Sequence, residues 1–206
     1  MKTLSILIPS IESRRSMLSS LACDLIIQCG SIKSVASFIQ DGCTILTMGF
    51  NNVEIIIAID NCQLTIGAKR NLLLSLANND VVVMVDDDDD VYPYFVKEIL
   101  SAIQSDCDAV AINGIFTQDG GEPIKWFISK DNPYCDSVDG DGNKVFLRYQ
   151  NHISPIKRSI AIQFKFQDIR FREDYNWATE IHNSGLIKTE STIEKPLYHY
   201  KYCSEK

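Results

Sequence analysis

The chain has 206 residues, of which 45% are hydrophobic, and its formal net charge is −7. This length and apolar content suit one domain with a sizeable core, and they exclude a disordered or fibrous protein. The acidic balance argues against general binding to nucleic acid or anionic membranes. No apolar run approaches the roughly 20 residues of a membrane-spanning helix, and the N-terminus lacks a secretory signal, so we expect a cytoplasmic protein. The seven scattered cysteines are then expected to be reduced thiols.

Strand and helix patterns alternate through the first 115 residues. Short apolar, β-branched runs predict buried strands, and apolar residues at helical spacing predict helices. Thr65 is the expected N-cap of the second helix, and Pro93 stands in the first turn of the third. The alternation predicts an α/β domain with a mainly parallel, Rossmann-like sheet flanked by helices. The pattern places strands at 4–8, 54–59, 81–85 and 109–115 and helices at 16–29, 67–78 and 93–104.

The second part of the chain, 116–206, is less regular and contains Gly, Pro and Asn breaks. We expect mixed strands and loops that close over a site, then a helix at 173–183 with Gly185 just beyond its end. No linker or repeat divides the chain, so 1–206 is expected to form one domain with halves 1–115 and 116–206. In a parallel sheet, ligands bind beyond the carboxyl ends of the strands, so the residues that follow each strand are the candidates for function.

Five consecutive aspartates, Asp86 to Asp90, directly follow the buried strand at 81–85. Adjacent carboxylates repel one another, and aspartate is disfavoured in strands. A solvated acidic turn is one explanation. The position at the ligand-binding edge of the sheet favours another, in which Mg²⁺ or Mn²⁺ offsets the repulsion and binds a diphosphate.

Several segments occur in the order found in family-2 glycosyltransferases, which have the GT-A fold. They are SILIPS at 5–10, EIIIAID at 54–60, GAKRN at 67–71 and VDDDD at 85–89, and NHISPIKR at 151–158 and FRED at 171–174 look like later elements of bacterial and phage members. The chain therefore resembles a nucleotide-diphospho-sugar transferase of bacterial, phage or viral type. The resemblance implies transfer of a sugar from a nucleotide diphosphate donor, UDP by default, and a location in the bacterial or host cytoplasm.

The resemblance implies a donor site in which 1–115 is the nucleotide-binding half. Pro9 and Ser10 would lie under the nucleotide base, and Asp60 would accept a hydrogen bond from it. Arg70 would reach the base or the diphosphate, and His152 could contact the donor sugar or the diphosphate. A turn role for Asp60 and an exposed helical position for Arg70 are the alternatives.

Within the acidic run, the D-x-D pair of the family falls best on Asp86 and Asp88. In that register Asp86 approaches the ribose, Asp87 also belongs to the donor site, and Asp88 ligates a metal that bridges the two phosphates. A shift to Asp87 and Asp89 stays open, because five identical residues do not define their own alignment. His199 is a candidate further metal ligand, as a late histidine is in some GT-A enzymes, and a packed structural role is its alternative.

Asp174 is the implied general base of an inverting transfer, taking a proton from the acceptor hydroxyl as it attacks the anomeric carbon. Glu173 is expected to orient the acceptor. Both carboxylates also fit an ordinary helix start, where acids favour the positive end of the dipole. Phe171 and Arg172 precede the acidic pair at a place where the family often has glycine.

The acceptor is left open by the sequence, and a glycan, a lipid-linked sugar, a protein or a modified nucleobase all remain. Seven basic residues between 144 and 172 make an anionic acceptor conceivable. Two other function classes also remain. A sugar nucleotidyltransferase usually carries a glycine-rich loop after the first strand, which this chain lacks at 9–15. In a non-enzymatic metal- or partner-binding protein, the acidic run would be an interaction surface.

Overall fold

The structure is a computed structural model that describes residues 1–204. The helices are α1 (Arg15–Cys29), α2 (Ile66–Leu76), α3 (Phe95–Ala102), α4 (Arg158–Ala161) and α5 (Glu173–Ser184). The strands are β1 (Leu4–Ile11), β2 (Ser34–Gln40), β3 (Cys43–Gly49), β4 (Val53–Asp60), β5 (Val81–Met84), β6 (Asp90–Val91), β7 (Ala109–Gln118), β8 (Ile124–Ile128), β9 (Cys135–Val138), β10 (Lys144–Arg148), β11 (Ile156–Lys157) and β12 (Glu190–Tyr202).

One mixed sheet runs through the described chain in the order β2-β3-β4-β1-β5-β11-β7-β8-β10-β9, with β12 added beside β7. Strand β1 pairs in parallel with both β4 and β5, and β12 pairs in parallel with β7. The predicted α/β fold with a largely parallel centre is therefore confirmed. Because β1, β4 and β5 run in the same direction, their carboxyl ends meet at one edge of the sheet.

The central strands are apolar on both faces because each face is covered by helices. Ile6 and Ile8 of β1 belong to a core that includes residues of α1 and α3. Leu7 belongs to a second core, built with residues of α2, α4 and α5. This burial on both sides explains why the strands are continuous apolar runs instead of alternating ones.

The start of α2 follows from its local sequence. The Thr65 hydroxyl accepts a hydrogen bond from the backbone N–H of Ala68 at 3.0 Å, which confirms the predicted N-cap. A Cβ atom at Gly67 would collide with the backbone carbonyl of Gln167. Glycine therefore lets the first turn of α2 pack against the segment that leads into α5, and this packing brings the two helix starts together.

Two elements were not expected from the sequence. The hairpin of β2 and β3 turns through Asp41 and Gly42, whose φ angles of 51° and 81° are both positive, as a two-residue hairpin turn requires. The long strand β12 lies within the second half, where β8, β9 and β10 agree with the expectation of mixed strands. Among the helices of residues 1–204, none has the length and apolar character needed to cross a membrane.

Candidate active site

A cleft of about 900 Å³ opens at the carboxyl ends of the central strands. Its volume lies within the roughly 300–1,000 Å³ typical of small-molecule sites. One part of its lining consists of charged side chains and another of aromatic rings. The charged floor consists of Asp60, Lys69, Arg70, Asp86 and Glu173, all of which except Asp60 line the cleft directly. The aromatic wall consists of Phe116, Tyr134, Phe146 and Tyr200.

The first three aspartates of the acidic loop (86–90) line the cleft. Asp87 accepts hydrogen bonds from the Ser10 hydroxyl at 2.6 Å and from Arg14 at 3.0 Å. Arg14 also lies 3.1 Å from Asp88, whose side chain is 12% exposed. Burial raises the pKa of Asp87, although Ser10 and Arg14 act in the opposite direction. Arg14 therefore offsets the repulsion between two neighbouring carboxylates.

The last two aspartates of the loop turn towards β12 and are absent from the cleft lining of the described chain. Asp89 is buried, and it accepts hydrogen bonds from the Tyr198 hydroxyl at 2.8 Å and from the Lys201 backbone N–H at 2.7 Å. Burial raises the pKa of Asp89 well above its usual range. Asp90 is exposed and pairs with the Lys201 ammonium at 2.7 Å. The acidic loop thus places three carboxylates in the cleft lining and two against β12.

Arg70 joins the acidic loop to the start of α5. This buried guanidinium lies 2.9 Å from an Asp86 carboxylate oxygen and also pairs with Glu173. Burial alone would raise the pKa of Asp86, but Arg70 and His152 outweigh it and hold that pKa well below the usual range. Burial raises the pKa of Glu173, although Arg70 opposes this shift. The alternative of an exposed helical arginine is wrong, because Arg70 is 4% exposed.

Lys69 is a component of the site that the sequence analysis did not single out. Its ammonium pairs with Asp60 and donates a hydrogen bond to the Ser10 carbonyl at 2.6 Å. The other Asp60 oxygen accepts the backbone N–H of Leu64 at 2.7 Å. Burial alone would raise the pKa of Asp60, but the Lys69 ammonium and the hydrogen bond from the Leu64 amide outweigh it and lower that pKa. A signal existed in the sequence, because Lys69 lies four residues before Leu73 and therefore on the buried face of α2.

His152 lies between two carboxylates of the cleft. Its Nε2 atom is 3.3 Å from Asp86, and its Nδ1 atom is 3.8 Å from Asp174. Asp174 stands in the first turn of α5, is 40% exposed at its side chain, and lines the cleft. The structure thus brings the proposed base, the acidic loop and His152 to one place, although they are far apart in the sequence.

Two buried nitrogen atoms of cleft-lining side chains, Arg70 Nε and His152 Nδ1, have no hydrogen-bond partner among the described residues. Buried polar groups are paired in most proteins, so such atoms indicate a water or a ligand. An acceptor oxygen would satisfy Arg70 Nε, which is a donor, whereas the partner that His152 Nδ1 needs depends on the tautomer of the ring. Pro9 also lines the cleft, and Ser10 reaches it through the Asp87 carboxylate.

His199 is not placed with the acidic residues of the cleft. Its Nε2 atom is 2.9 Å from the Thr117 hydroxyl, and its Nδ1 atom is 3.9 Å from Asp90. The described cleft lining contains its neighbours Tyr200 and Lys201 but not His199. Burial lowers the pKa of His199. The contact with Thr117 places the ring against β7, and the role of His199 as a metal ligand stays a prediction.

The aromatic wall rises from the second half of the chain. The ring of Phe116 lies 5.4 Å from that of Phe146 and 5.5 Å from that of Tyr200. The Arg148 guanidinium lies 4.4 Å from the Tyr134 ring centre and bonds Asp136 at 3.1 Å. Arg148 also donates to two backbone carbonyls. The guanidinium of Arg148 is thus hydrogen-bonded mainly to groups of the protein itself.

The basic residues at 144–172 divide between the cleft lining and other positions. Lys144 shares Asp136 with Arg148 on the wall. Lys157 pairs with Asp106 and Asp108, and its ammonium is not part of the described cleft lining. Only Arg170 and Arg172 of the later members join Lys144 and Arg148 in lining the cleft. Four of the seven basic residues of this stretch therefore line the cleft of the described chain, and three do not.

The donor set of the acidic loop fits a hard divalent cation. Among residues 1–204, no three His, Cys, Asp or Glu side chains form a preformed metal site. Mg²⁺ is usually held by one or two carboxylates together with water and substrate phosphates, so Asp86 and Asp88 suffice as its protein ligands. Both line the same cleft and offer oxygen donors only.

The sequence profile of glycosyl transferase family 2 matches residues 51–181, more than half of the chain. No curated protein sequence matches the chain. Among solved structures, S. aureus TarS 1-349 in complex with UDP is similar, with a TM-score of 0.62 at 12% identity over 97% of this chain and 60% of that one. The complex of TarS 1-349 with UDP-GlcNAc gives a TM-score of 0.61 at 13% identity, over 97% and 58%.

A longer crystal structure of S. aureus TarS matches with a TM-score of 0.62 at 11% identity, over 97% of this chain but only 36% of that one. At these identities the similarity is one of fold. The chain therefore spans between about one third and three fifths of the TarS chains that it matches.

Proposed function

Because the chain belongs to glycosyl transferase family 2, we propose that it transfers a sugar from a UDP-sugar to an acceptor hydroxyl, with the charged floor as part of the donor site. The observation that carries this proposal is the convergence of Asp86, Asp88, Arg70 and Asp174 on one cleft at the carboxyl ends of parallel strands. The UDP and UDP-GlcNAc bound by TarS support the choice of nucleotide.

In this proposal, 1–115 is the nucleotide-binding half and 116–206 the acceptor-side half. Pro9 lies towards the base. Asp60, whose oxygens are bound by Lys69 and the Leu64 amide, supports Lys69 from outside the described lining of the cleft. Ser10 and Asp87 form a hydrogen-bonded pair at the donor site. Arg70 and His152 both line the cleft, and we assign them to the diphosphate or the donor sugar.

Asp86 and Asp88 would hold Mn²⁺ or Mg²⁺. Asp88 lines the cleft whereas Asp89 is bound by Tyr198 and Lys201, which supports this register over Asp87 and Asp89. A bound divalent cation supplies Lewis-acid stabilisation of the charge that develops on the departing diphosphate. The direct pairing of Arg14 with Asp88 implies that Arg14 shifts or shares this carboxylate when a cation is bound.

Asp174 takes the proton of the acceptor hydroxyl while the hydroxyl oxygen forms its bond to the anomeric carbon. The bond from that carbon to the diphosphate breaks on the opposite face, which inverts the configuration. Asp174 suits this role because it is partly exposed in the cleft and lies beside His152. Glu173 is buried against Arg70, so we assign it to positioning the start of α5 rather than to contact with the acceptor.

The test is a panel of UDP-sugars and other nucleotide sugars, screened by thermal shift with Mn²⁺, with Mg²⁺ and with a chelator. A ligand that binds the folded state raises the melting temperature by mass action. We expect UDP-sugars to raise it in a metal-dependent way, with slow release of UDP when water is the acceptor. Asp88→Asn is expected to weaken metal-dependent UDP binding at least about tenfold, since even lost support of a metal ligand costs roughly 10–100-fold.

Asp90→Asn is the matched control, because it is the same substitution two residues later at an exposed position that pairs with Lys201. Loss of binding in both variants, or in neither, would contradict the proposed site. Metal binding without any effect of nucleotide would favour a non-enzymatic metal protein. Release of pyrophosphate from a nucleoside triphosphate and a sugar phosphate would favour a nucleotidyltransferase.

A further inference from the structure

Tyr198 is a fully buried residue of β12 whose hydroxyl contacts the acidic loop at two points. It donates a hydrogen bond to the Asp89 carboxylate at 2.8 Å and accepts one from the backbone N–H of Asp86 at 3.1 Å. One phenol therefore joins the first residue of the loop to the fourth. It lies 109 residues from Asp89 in the sequence, so only tertiary packing brings the two together.

The position of the Tyr198 ring is set by close packing. The Trp126 ring meets it edge to face at 6.2 Å. Gly114 of β7 is the backbone partner of Tyr198, and a Cβ atom at Gly114 would collide with the Tyr198 carbonyl and the Trp126 ring. Trp126 itself is 5% exposed, so this packing leaves the ring little room to move.

The other contacts of β12 hold the later part of the loop. The Lys201 backbone N–H donates to Asp89, and Tyr198 and His199 pair with Val91 and Asp90 as β12 meets β6. Asp89 is thus held against β12, whereas Asp86 and Asp88 of the same loop line the cleft.

We propose that Tyr198 is a positioning residue, which holds the acidic loop so that Asp86 and Asp88 present their carboxylates to the cleft. The role follows from the two hydrogen bonds of one buried hydroxyl, and it rests on the proposed function for its consequence in donor binding. Residues 190–202 lie beyond the segment that matches the family profile, so the profile assigns nothing to this strand. The acidic loop provides the carboxylates, and β12 determines how they are oriented.

Tyr94 provides a matched control. Its hydroxyl also donates a hydrogen bond to β12, at the Pro196 carbonyl and a distance of 3.0 Å, but it does not contact the acidic loop in the described structure. Tyr198→Phe and Tyr94→Phe each remove one hydroxyl. The first hydroxyl belongs to β12, and the second donates a hydrogen bond to β12. Only the first removes support from Asp86 and Asp89.

The first measurement is hydrogen exchange of the peptide that covers 85–91 in the metal-free protein. We expect Tyr198→Phe to speed this exchange about tenfold or more, since hydrogen bonds to charged groups are among the stronger ones in proteins. Tyr94→Phe is expected to leave it unchanged. Equal exchange in Tyr198→Phe and the wild type would overturn the proposal, whatever the protein binds.

The second measurement is calorimetry of UDP with and without Mn²⁺. We expect Tyr198→Phe to reduce the Mn²⁺-dependent gain in UDP affinity about tenfold, whereas a loss of overall stability alone would leave the ratio of the two Kd values unchanged. An unchanged ratio contradicts the positioning role. A wild-type protein that binds no UDP with Mn²⁺ would instead contradict the proposed function, while the exchange experiment still tests Tyr198.

Should Tyr198→Phe fail to fold, Asp89→Asn tests the same contact from the loop. This variant keeps an oxygen for the Tyr198 hydroxyl but places an amide group against the Lys201 backbone N–H, which donates to Asp89 in the wild type. Faster exchange at 85–91 and a reduced Mn²⁺-dependent gain are expected, with Asp90→Asn as the surface control. Wild-type behaviour of Asp89→Asn in both measurements would overturn the proposal.

Discussion

The charged floor and the aromatic wall of the cleft differ in how their charged side chains are buried and paired. In the charged floor, Arg70 and Lys69 are buried and each is paired with at least one carboxylate. In the aromatic wall, half-exposed rings pack on one another, and the charges of Arg148 and Lys144 meet Asp136 at the surface. A buried charge that loses its partner is costly, whereas a surface ion pair contributes little. The floor is therefore expected to tolerate almost no substitution, and the wall to tolerate many.

Arg70→Met is the substitution that tests the floor most severely. It keeps much of the side-chain volume but leaves Asp86 and Glu173 without their shared cation. We expect a loss of about 3–5 kcal/mol in the free energy of unfolding, as for other broken buried ion pairs. Urea unfolding measures it, and Arg15→Met, at a residue whose side chain is 60% exposed, is the control. A loss no larger than that of the control would show that the floor is not a linked network.

Asp174→Asn tests the proposed general base, which lines the same cleft as the charged floor and the aromatic wall. We expect release of UDP from the best UDP-sugar to slow about 100-fold or more, which is the lower range for removal of a general base. The Kd of UDP should stay within about twofold, since the interaction is made in the transition state. Glu180→Gln, at an exposed position of the same helix, is the control. Equal weakening of UDP binding and turnover would assign Asp174 to the donor site instead.

Asp136→Asn tests the wall, and we expect the smallest effect. Hydrogen bonds from Arg148 and Lys144 lower the pKa of Asp136, so its stabilising contribution is present at neutral pH and lost as the carboxyl is protonated. For such a surface pair we expect about 0.2–1 kcal/mol at pH 7. The difference from the wild type should shrink as the pH falls below about 4, where free aspartate begins to titrate.

The measurement for Asp136→Asn is urea unfolding of both proteins between pH 7 and pH 3, repeated at high salt. Salt screens exposed charges, so the difference should also shrink there. The proposed contrast between the charged floor and the aromatic wall would be wrong in either of two cases. The difference in the free energy of unfolding could stay constant with pH, or it could be as large as that of Arg70→Met.

The prediction from sequence succeeded where the information is local. The strands at 54–59 and 81–85 are apolar at nearly every position, and a strand buried on both faces requires that pattern. Thr65 as a cap is likewise readable within one turn of helix, whereas Pro93, predicted in the first turn of the third helix, lies two residues before the start of α3. The hairpin of β2 and β3 was missed because β2 is exposed along almost its whole length, so no alternation marks it. The Asp41-Gly42 turn was its available signal.

The sequence by itself determined the α/β class, the edge of the sheet where the cleft opens, and the placing of five carboxylates at that edge, because burial and strand length impose these patterns locally. Tertiary structure alone decided which carboxylates face the cleft. Arg70 reaches Asp86 over 16 residues and Glu173 over 103, and Tyr198 reaches Asp89 over 109. Five identical aspartates differ only in their distant partners, and no local pattern specifies a partner that another part of the chain supplies.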